Sequence, residues 1–370
     1  MTTDLPQRIK RAQQQAAELG VDALVITPGA DLRYLTGYDA TRLERLTALV
    51  VPSDGEPTLV VPELERPAAL ASPVGSIDLR VADWVETADP YALVASLLPV
   101  GAATIALDNH MWAEKVVRFR AVMPAATQVL AGDVVGPLRM RKTPGEVAAL
   151  REAGQAIDRV HQRMGEWLHV GRTEREVAHD IADAIIAEGH VRADFVIVGS
   201  GPNGASPHHE VSDRVIQPGD PVVVDIGGTM ATGYCSDCTR NYLVGARAEP
   251  EYEDYFAVLR AAQQKQCEYA KPGVSAESID ALGRELIAEA GYGDAFIHRT
   301  GHGIGLETHE EPYIVAGNPL VLEEGMAFSI EPGIYLTGRH GARIEDIVVC
   351  TAPGVERLNT TTRDLAYLGD

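Results

Sequence analysis

The stretch VVVDIGG (residues 222–228) sets a carboxylate, Asp225, inside an apolar run, and SDCTRNY (236–242) brings a second, Asp237, twelve residues later. Runs of β-branched residues punctuated by glycine read as buried strand. The sequence predicts strands over 222–226 and 239–244, with Asp237 just before the second. A hairpin between them sets the two carboxylates side by side. A carboxylate buried in an apolar strand costs on the order of several kcal/mol unless it is paired or metal-bound.

The arrangement recurs downstream. FSIE (328–331) ends in Glu331, a turn is expected at Pro332-Gly333, and ARIEDIV (342–348) carries Arg343 and Glu345, the latter fourteen residues after Glu331. Any one such acid is more simply a solvated strand end or an arginine partner. Four in two matching hairpin contexts would repel one another, and divalent cations are the natural compensation. Bridging carboxylates hold two metals roughly 3.5–4 Å apart in some hydrolases. His302, in GHGIG (301–305), is a fifth candidate ligand, since a neutral imidazole suits Zn, Mn or Co. His208, His209 and His309 are further imidazoles nearby in sequence.

Outward from these motifs, Thr143-Pro144-Gly145-Glu146 and Thr173 with Glu176 are capping boxes. They predict helices running to about 168 and to about 189. Strands are expected over 195–198 and 327–330, helices over about 251–270 and 275–290, and a single strand over 342–349. The order helix, helix, strands occurs twice, which predicts an α+β domain. The N-terminal part alternates signals: a helix over 7–20, a strand over 23–26, a hairpin over 46–51 and 58–61, a strand over 103–107 and a helix from about 112. This reads as a smaller α/β domain. The expected domains are 1–135 and 136–370.

The 370 residues favour two domains. The balance of 32 Lys+Arg against 53 Asp+Glu, a net of −21, disfavours nucleic acid or an anionic membrane as main partner. Of these, 36 acids and 20 bases lie after residue 140, a net of −16, and ten of eleven histidines follow residue 150. Chemistry near neutral pH is therefore expected in the C-terminal part. The start, Met1 to Pro6, lacks the apolar core of a signal peptide, and no run approaches the ~20 residues of a membrane span, so a cytoplasmic address is expected. Two motifs are set aside. GSGPNG (199–204) fits GxGxxG, but prolines interrupt the segment where a helix should open. CSDC (235–238) has CxxC spacing, but it precedes a strand.

VVVDIGG, SDCTRNY, HRTGHGIGLETHEEP (298–312), SIEPGIY (329–335) and ARIEDIV together resemble the pita-bread metallopeptidases, a family that includes Xaa-Pro dipeptidase (prolidase), aminopeptidase P and methionine aminopeptidase. The extra N-terminal domain resembles the prolidase and aminopeptidase P branch. The resemblance implies a pita-bread catalytic domain and two divalent metal ions per chain, with Mn preferred over Co or Zn. Asp225 and Asp237 would bind one metal and His302 and Glu331 the other, with Asp237 and Glu345 bridging. His208 and His309 would contact the substrate and stabilise the tetrahedral intermediate, Glu331 would relay a proton, and Arg343 would orient a carboxylate or the substrate. His208 is preferred to His209 because Ser212-Asp213-Arg214 then fall in register. The Asp225–Asp237 spacing of twelve departs from the eleven usual in the family, and the extra residue is expected in 229–234. The implied substrate is a small peptide with proline second, most simply an Xaa-Pro dipeptide, with aminopeptidase P action on longer peptides as the alternative. A homodimer is also implied. A binding-only pseudoenzyme is disfavoured because all five ligands are present. A dipeptidase needs a cation for the substrate's free carboxylate, and Arg45 of a dimer partner is a speculative candidate.

Overall fold

The computed structural model describes residues 4–369, so Met1–Thr3, part of the segment read for a targeting signal, lie outside the described residues. The chain divides into two units, one ending at Arg139 and one beginning at Met140. The sequence-placed boundary at 135/136 falls inside the helix Gly132–Met140. Among the described residues no helix is long and apolar enough to cross a membrane.

The N-terminal unit is a six-stranded mixed sheet in the order Arg80–Trp84, Thr58–Pro62, Ala48–Pro52, Ala23–Ile26, Thr104–Leu107, Thr127–Leu130. The four central strands are apolar and almost wholly buried. The two edge strands escaped the sequence reading because they are polar and half-exposed, as edges commonly are. Arg45 sits on this unit as an exposed cation paired with Glu44 (2.7 Å) and Glu86 (2.5 Å).

The C-terminal unit is α+β, as its helix-strand order implies. The helices Pro144–Gln162 and Glu174–Ala187 pack on a sheet ordered Ala366–Leu368, Cys235–Val244, Pro221–Met230, His190–Ser200. Both helices begin in complete capping boxes: Thr143 Oγ1 accepts from Glu146 N while Glu146 Oε2 accepts from Thr143 N, and Thr173 and Glu176 repeat the exchange. The first helix ends at Gln162, short of the expected 168. A 3-10 turn over Met164–Glu166, which contains Gly165, redirects the chain so that Leu168 enters the core beside Val177. The helices Pro250–Tyr269 and Ala276–Glu289 accompany a second sheet ordered Glu310–Ile314, Gly301–Gly303, Ala327–Ile330, Asp346–Thr351, Gly354–Arg357.

Three strand expectations are corrected. Asp237 lies inside its strand, because pairing with Pro221–Met230 extends that strand back to Cys235. No hairpin turn occurs at Pro332-Gly333. The chain continues as Gly333–Leu336, turns, and returns as His340–Arg343, so these two strands form their own small sheet. The single strand expected over 342–349 is two strands, interrupted at Ile344 and Glu345, where Glu345 forms an isolated bridge to Thr239. That bridge joins the two halves of the unit. The GxGxxG segment opens no α-helix, only a 3-10 turn over Gly201–Ala205.

Close approach requires glycine beside two of the candidate ligands. A Cβ on Gly227 would lie 2.4 Å from the Ser236 carbonyl and 2.5 Å from the Phe195 ring, so Gly227 lets the neighbouring strands close on Asp225. A Cβ on Gly301 would lie 1.9 Å from the Ser329 carbonyl, so Gly301 seats His302 against the strand Ala327–Ile330. Overpacking of this kind costs about 1–3 kcal/mol. Gly301→Ala is therefore expected to lower the urea midpoint by that amount divided by the m-value. An unchanged midpoint would show that these strands are not held at the described separation.

Candidate metal centre

Strand periodicity brings the first two acids together. The register pairs Asp225 with Thr239 and Gly227 with Asp237, so the two aspartates are diagonal neighbours on one face. The register is unbroken from Pro221–Leu243 to Thr229–Cys235. What lies beyond this ladder is the tip, where Met230 N donates to the Tyr234 carbonyl (2.9 Å) and Gly233 takes a positive φ of 91°. Thr239 carries the link to the second half: its Oγ1 donates to Glu345 Oε2 at 2.7 Å.

Six side chains converge, the five expected ligands and His309. Ligand atoms of Asp225, Asp237 and Glu345 lie within 4.8 Å of one another, as do those of His302, Glu331 and Glu345, and of Asp237, His302 and His309. Asp237, Glu345 and His302 each belong to two groups, and of these three only the two carboxylates carry a second oxygen that a pair of cations could share. His302 Nδ1 faces the Gly303 carbonyl at 3.1 Å, an arrangement that leaves Nε2 to face Glu331 Oε1 (3.1 Å) and Asp237 Oδ2 (3.7 Å). The His309 ring packs edge-on against His302, centroids 4.1 Å apart.

The donor set fits divalent cations on two counts. Buried oxygens of three acids, Asp225 Oδ1, Asp237 Oδ1 and Glu345 Oε1, have no hydrogen-bond partner among the described residues. An unsatisfied buried carboxylate oxygen is costly. Burial, then the charges of Glu345, Asp225 and Glu331, push the Asp237 carboxyl well above its ordinary range. Burial, then Glu331 and Asp225, do the same to Glu345. Burial also raises Glu331, but the hydrogen bond and charge of His302 outweigh it and hold that carboxyl at about 2.

One guanidinium is built into the cluster. Arg343 Nη2 donates to Asp225 Oδ2 (2.6 Å), Nε to Thr239 Oγ1 (3.1 Å) and Nη1 to Tyr335 Oη (2.7 Å). Tyr335 Oη, accepting from Arg343, turns its own proton toward His298 Nε2 (2.9 Å), and His298 Nδ1 faces the Arg299 carbonyl at 2.7 Å. Sequence reasoning missed Tyr335 and His298, although both lie in the quoted motifs. Nothing in their spacing tied either one to Arg343.

The six clustered side chains, Arg343 and His298 line a cavity of about 700 Å³ together with His208, Arg299, Asp194, Phe195 and Ile197. His208 faces the cavity. Its neighbour His209 turns away, with Nε2 2.7 Å from buried Glu174. Glu174 also accepts from Ser200, Asn203 and Ser212, and so ties down the loop that carries His208. Burial, then His302, lower the His309 pKa to about 4, so it is neutral through the physiological range. Of the two guanidiniums on the cavity wall, Arg343 is tied to Asp225. Arg299 stacks on the Tyr313 ring (4.3 Å) and has no acidic partner among the described residues.

Residues 148–352 match metallopeptidase family M24, and residues 8–141 match the creatinase/prolidase N-terminal domain. The chain is 51% identical to the probable dipeptidase PepE of Mycobacterium tuberculosis, over 97% of this chain and 95% of that protein. It is 38% identical to the Xaa-Pro dipeptidase of Lactobacillus helveticus, over 97% and 98%. Among solved structures, dipeptidase PepE from Mycobacterium ulcerans superposes with a TM-score of 0.95 at 49% identity, covering 100% of this chain and 99% of that one. Recombinant prolidase from Thermococcus sibiricus superposes with a TM-score of 0.91 at 35% identity, covering 99% of each chain.

Because their folded values lie above the unfolded ones, Asp237 and Glu345 stabilise the cation-free protein at low pH, and this contribution is lost as pH rises through the folded values. A cation entering the cluster displaces their protons. Titration calorimetry of Mn²⁺ into chelated protein, in two buffers of different ionisation enthalpy, is expected to show proton release that is larger at pH 6 than at pH 8. Equal heats in both buffers at both pH values would contradict the raised carboxyls.

Proposed function

The chain belongs to metallopeptidase family M24, and from that premise we propose that it hydrolyses Xaa-Pro dipeptides with two divalent cations held by Asp225, Asp237, His302, Glu331 and Glu345. The observation that carries this reading is one cavity that joins a buried acid–imidazole cluster to Arg299, a cation with no acidic partner among the described residues. Manganese is the ion proposed as native, since an oxygen-rich shell with one imidazole suits it. The resemblance of the whole chain to prolidases supports a homodimer and a cytoplasmic address.

Bound in the cluster, divalent cations supply Lewis acidity and bring the pKa of a coordinated water toward neutrality. The chain's own residues do the rest. Asp237 and Glu345 would be the residues held in common by the two cations. Arg343 holds Asp225 by one oxygen and leaves the other pointing at the cluster. Glu331, beside His302 on the cavity wall, accepts the proton of the attacking water and returns it to the leaving prolyl nitrogen. That nitrogen belongs to a tertiary amide, which has no N–H of its own. His309, neutral near pH 7, donates through one N–H to the oxygen that gains charge, and His208 approaches the same space from the opposite loop. Phe195 and Ile197 give the prolyl ring an apolar wall. Arg299 receives the free carboxylate, a role for which Arg45 is poorly suited because it already pairs with Glu44 and Glu86.

Two measurements test this reading. With Mn²⁺ added, the purified protein is expected to turn over an Xaa-Pro dipeptide at least about tenfold more efficiently than an Xaa-Pro-Yaa tripeptide, a difference of about 1.4 kcal/mol. The reverse order would assign it to the aminopeptidase P reaction. Arg299→Ala is expected to raise KM for the dipeptide by about 10- to 100-fold, the worth of a charged hydrogen bond, while leaving the C-terminal amide of the same dipeptide unaffected. An unchanged KM for the free acid would remove Arg299 from carboxylate recognition.

A further inference from the structure

The cavity over the metal cluster is lined by one acid that stands outside the cluster. Asp194 lies on the strand His190–Ser200 and belongs to none of the three ligand groups. Its place on the wall comes from a β-bulge. Ala193 pairs with Gly228 and Phe195 with Gly227, so Asp194 is the extra residue between two successive pairs. A bulge bends its strand and re-aims the side chain it carries. Here that side chain is a carboxylate, 13% exposed, on the cavity wall.

Two donors hold the carboxylate from outside the cavity lining. Thr229 Oγ1 donates to Oδ2 at 2.5 Å, and Arg192 Nε donates to Oδ1. Arg192 Nη2 also donates to Thr229 Oγ1 (3.1 Å), so the three side chains form one closed set. Neither Thr229 nor Arg192 lines the cavity. An ionised carboxylate accepts about four hydrogen bonds, so these two donors leave capacity on each oxygen. Arg192 balances Asp194 in number but not in place. Its side chain is 69% exposed, where solvent screens an ion pair and leaves it worth little.

Distance selects which part of a substrate can reach Asp194. Asp237 stands opposite Gly227, and Gly227 opposite Phe195, so two strand spacings, about 9.5 Å, separate the backbones of Asp237 and Phe195. Asp194 is one residue beyond. The carbonyl under attack must lie at the cluster, and the α-ammonium is fixed on the carbon next to it. A basic side chain is not so confined, since lysine carries its ammonium on a flexible four-carbon stem. Arg299, the cation proposed for the free carboxylate, stacks on Tyr313 (4.3 Å) and is not paired with Asp194.

We propose that Asp194 is a specificity-determining residue that selects dipeptides in which the residue before proline is basic, lysine or arginine. This rests on the dipeptidase reading and narrows its substrate class. The cavity then presents two fixed charges outside the cluster, Arg299 for the substrate carboxylate and Asp194 for the basic side chain. An acidic residue before proline meets the Asp194 carboxylate and is disfavoured.

The test compares kcat/KM of the Mn²⁺-loaded full chain for Lys-Pro, norleucyl-Pro and Glu-Pro at low ionic strength. Norleucine keeps the lysine stem without the ammonium. Lys-Pro is expected to exceed norleucyl-Pro at least about tenfold, and Glu-Pro to fall below both. Asp194→Asn keeps the shape and is expected to bring the ratio of Lys-Pro to norleucyl-Pro to about one, chiefly through KM. Arg192→Ala removes the competing cation and is expected to hold that ratio at or above its original value. A ratio near one in the unaltered protein, a ratio that survives Asp194→Asn, or a ratio lost in Arg192→Ala overturns the proposal. Should Asp194→Asn fail to fold by circular dichroism, 2,3-diaminopropionyl-Pro decides on the unaltered protein. Its ammonium sits on a one-carbon stem too short to reach Asp194, so it is expected to show none of the Lys-Pro advantage, and an equal advantage overturns the proposal. Turnover of norleucyl-Pro without a Lys-Pro advantage removes this inference alone, whereas no turnover of any Xaa-Pro dipeptide removes the dipeptidase reading and this inference with it.

Discussion

Buried negative charge with too little positive charge beside it is the constraint on which the C-terminal unit is organised. Asp225, Asp237 and Glu345 are each less than a tenth exposed, and Glu331 stands among them. The protein supplies one guanidinium, Arg343, and one imidazole, His302, at their centre. Desolvation of several carboxylates against a single arginine is unfavourable by Coulomb's law at any reasonable interior dielectric. The fold is thus completed by charge that comes from outside the chain, and the unpartnered oxygens mark where it enters.

The surrounding structure holds this unfavourable arrangement open. The bridge between Thr239 and Glu345 locks the two strand systems together at the cluster. The relay from Arg343 through Tyr335 to His298 fixes the direction of each donor and ends at the backbone of Arg299. Glu174, held at about 2 because the hydrogen bonds of Ser200, Ser212 and His209 outweigh its burial, clamps the loop that presents His208. Lys142 and Glu310, a buried pair at 2.6 Å, anchor the strand that begins beside His309. Each device places a side chain on the cavity wall by contacts outside the cavity.

Much of this was legible in the sequence, where the relevant physics is local. An aspartate in VVVDIGG stands out because apolar strands do not tolerate charge, and a period of two carries Asp225 and Asp237 to one face once the tip is short. The two capping boxes are read from four residues each. The break at Ile344 and Glu345 was not legible, because ARIEDIV is β-compatible throughout and only the distant Thr239 interrupts it. The partnership of Arg343 with Tyr335 and His298 spans three separate segments, and no periodicity announces it. Whether His208 or His209 faces the cavity turns on Glu174, more than thirty residues away. Local patterns thus indicated which residues gather at the cluster, while long-range contacts decide how each is aimed.

Whether the five-residue cluster holds two divalent cations is decided by anomalous diffraction at the manganese edge, from crystals grown with Mn²⁺. Two peaks per chain are expected, both within bonding distance of Asp237 and Glu345, one also reached by Asp225 and the other by His302 and Glu331. No peak in the cluster, with ordered manganese bound elsewhere on the chain, would contradict that expectation.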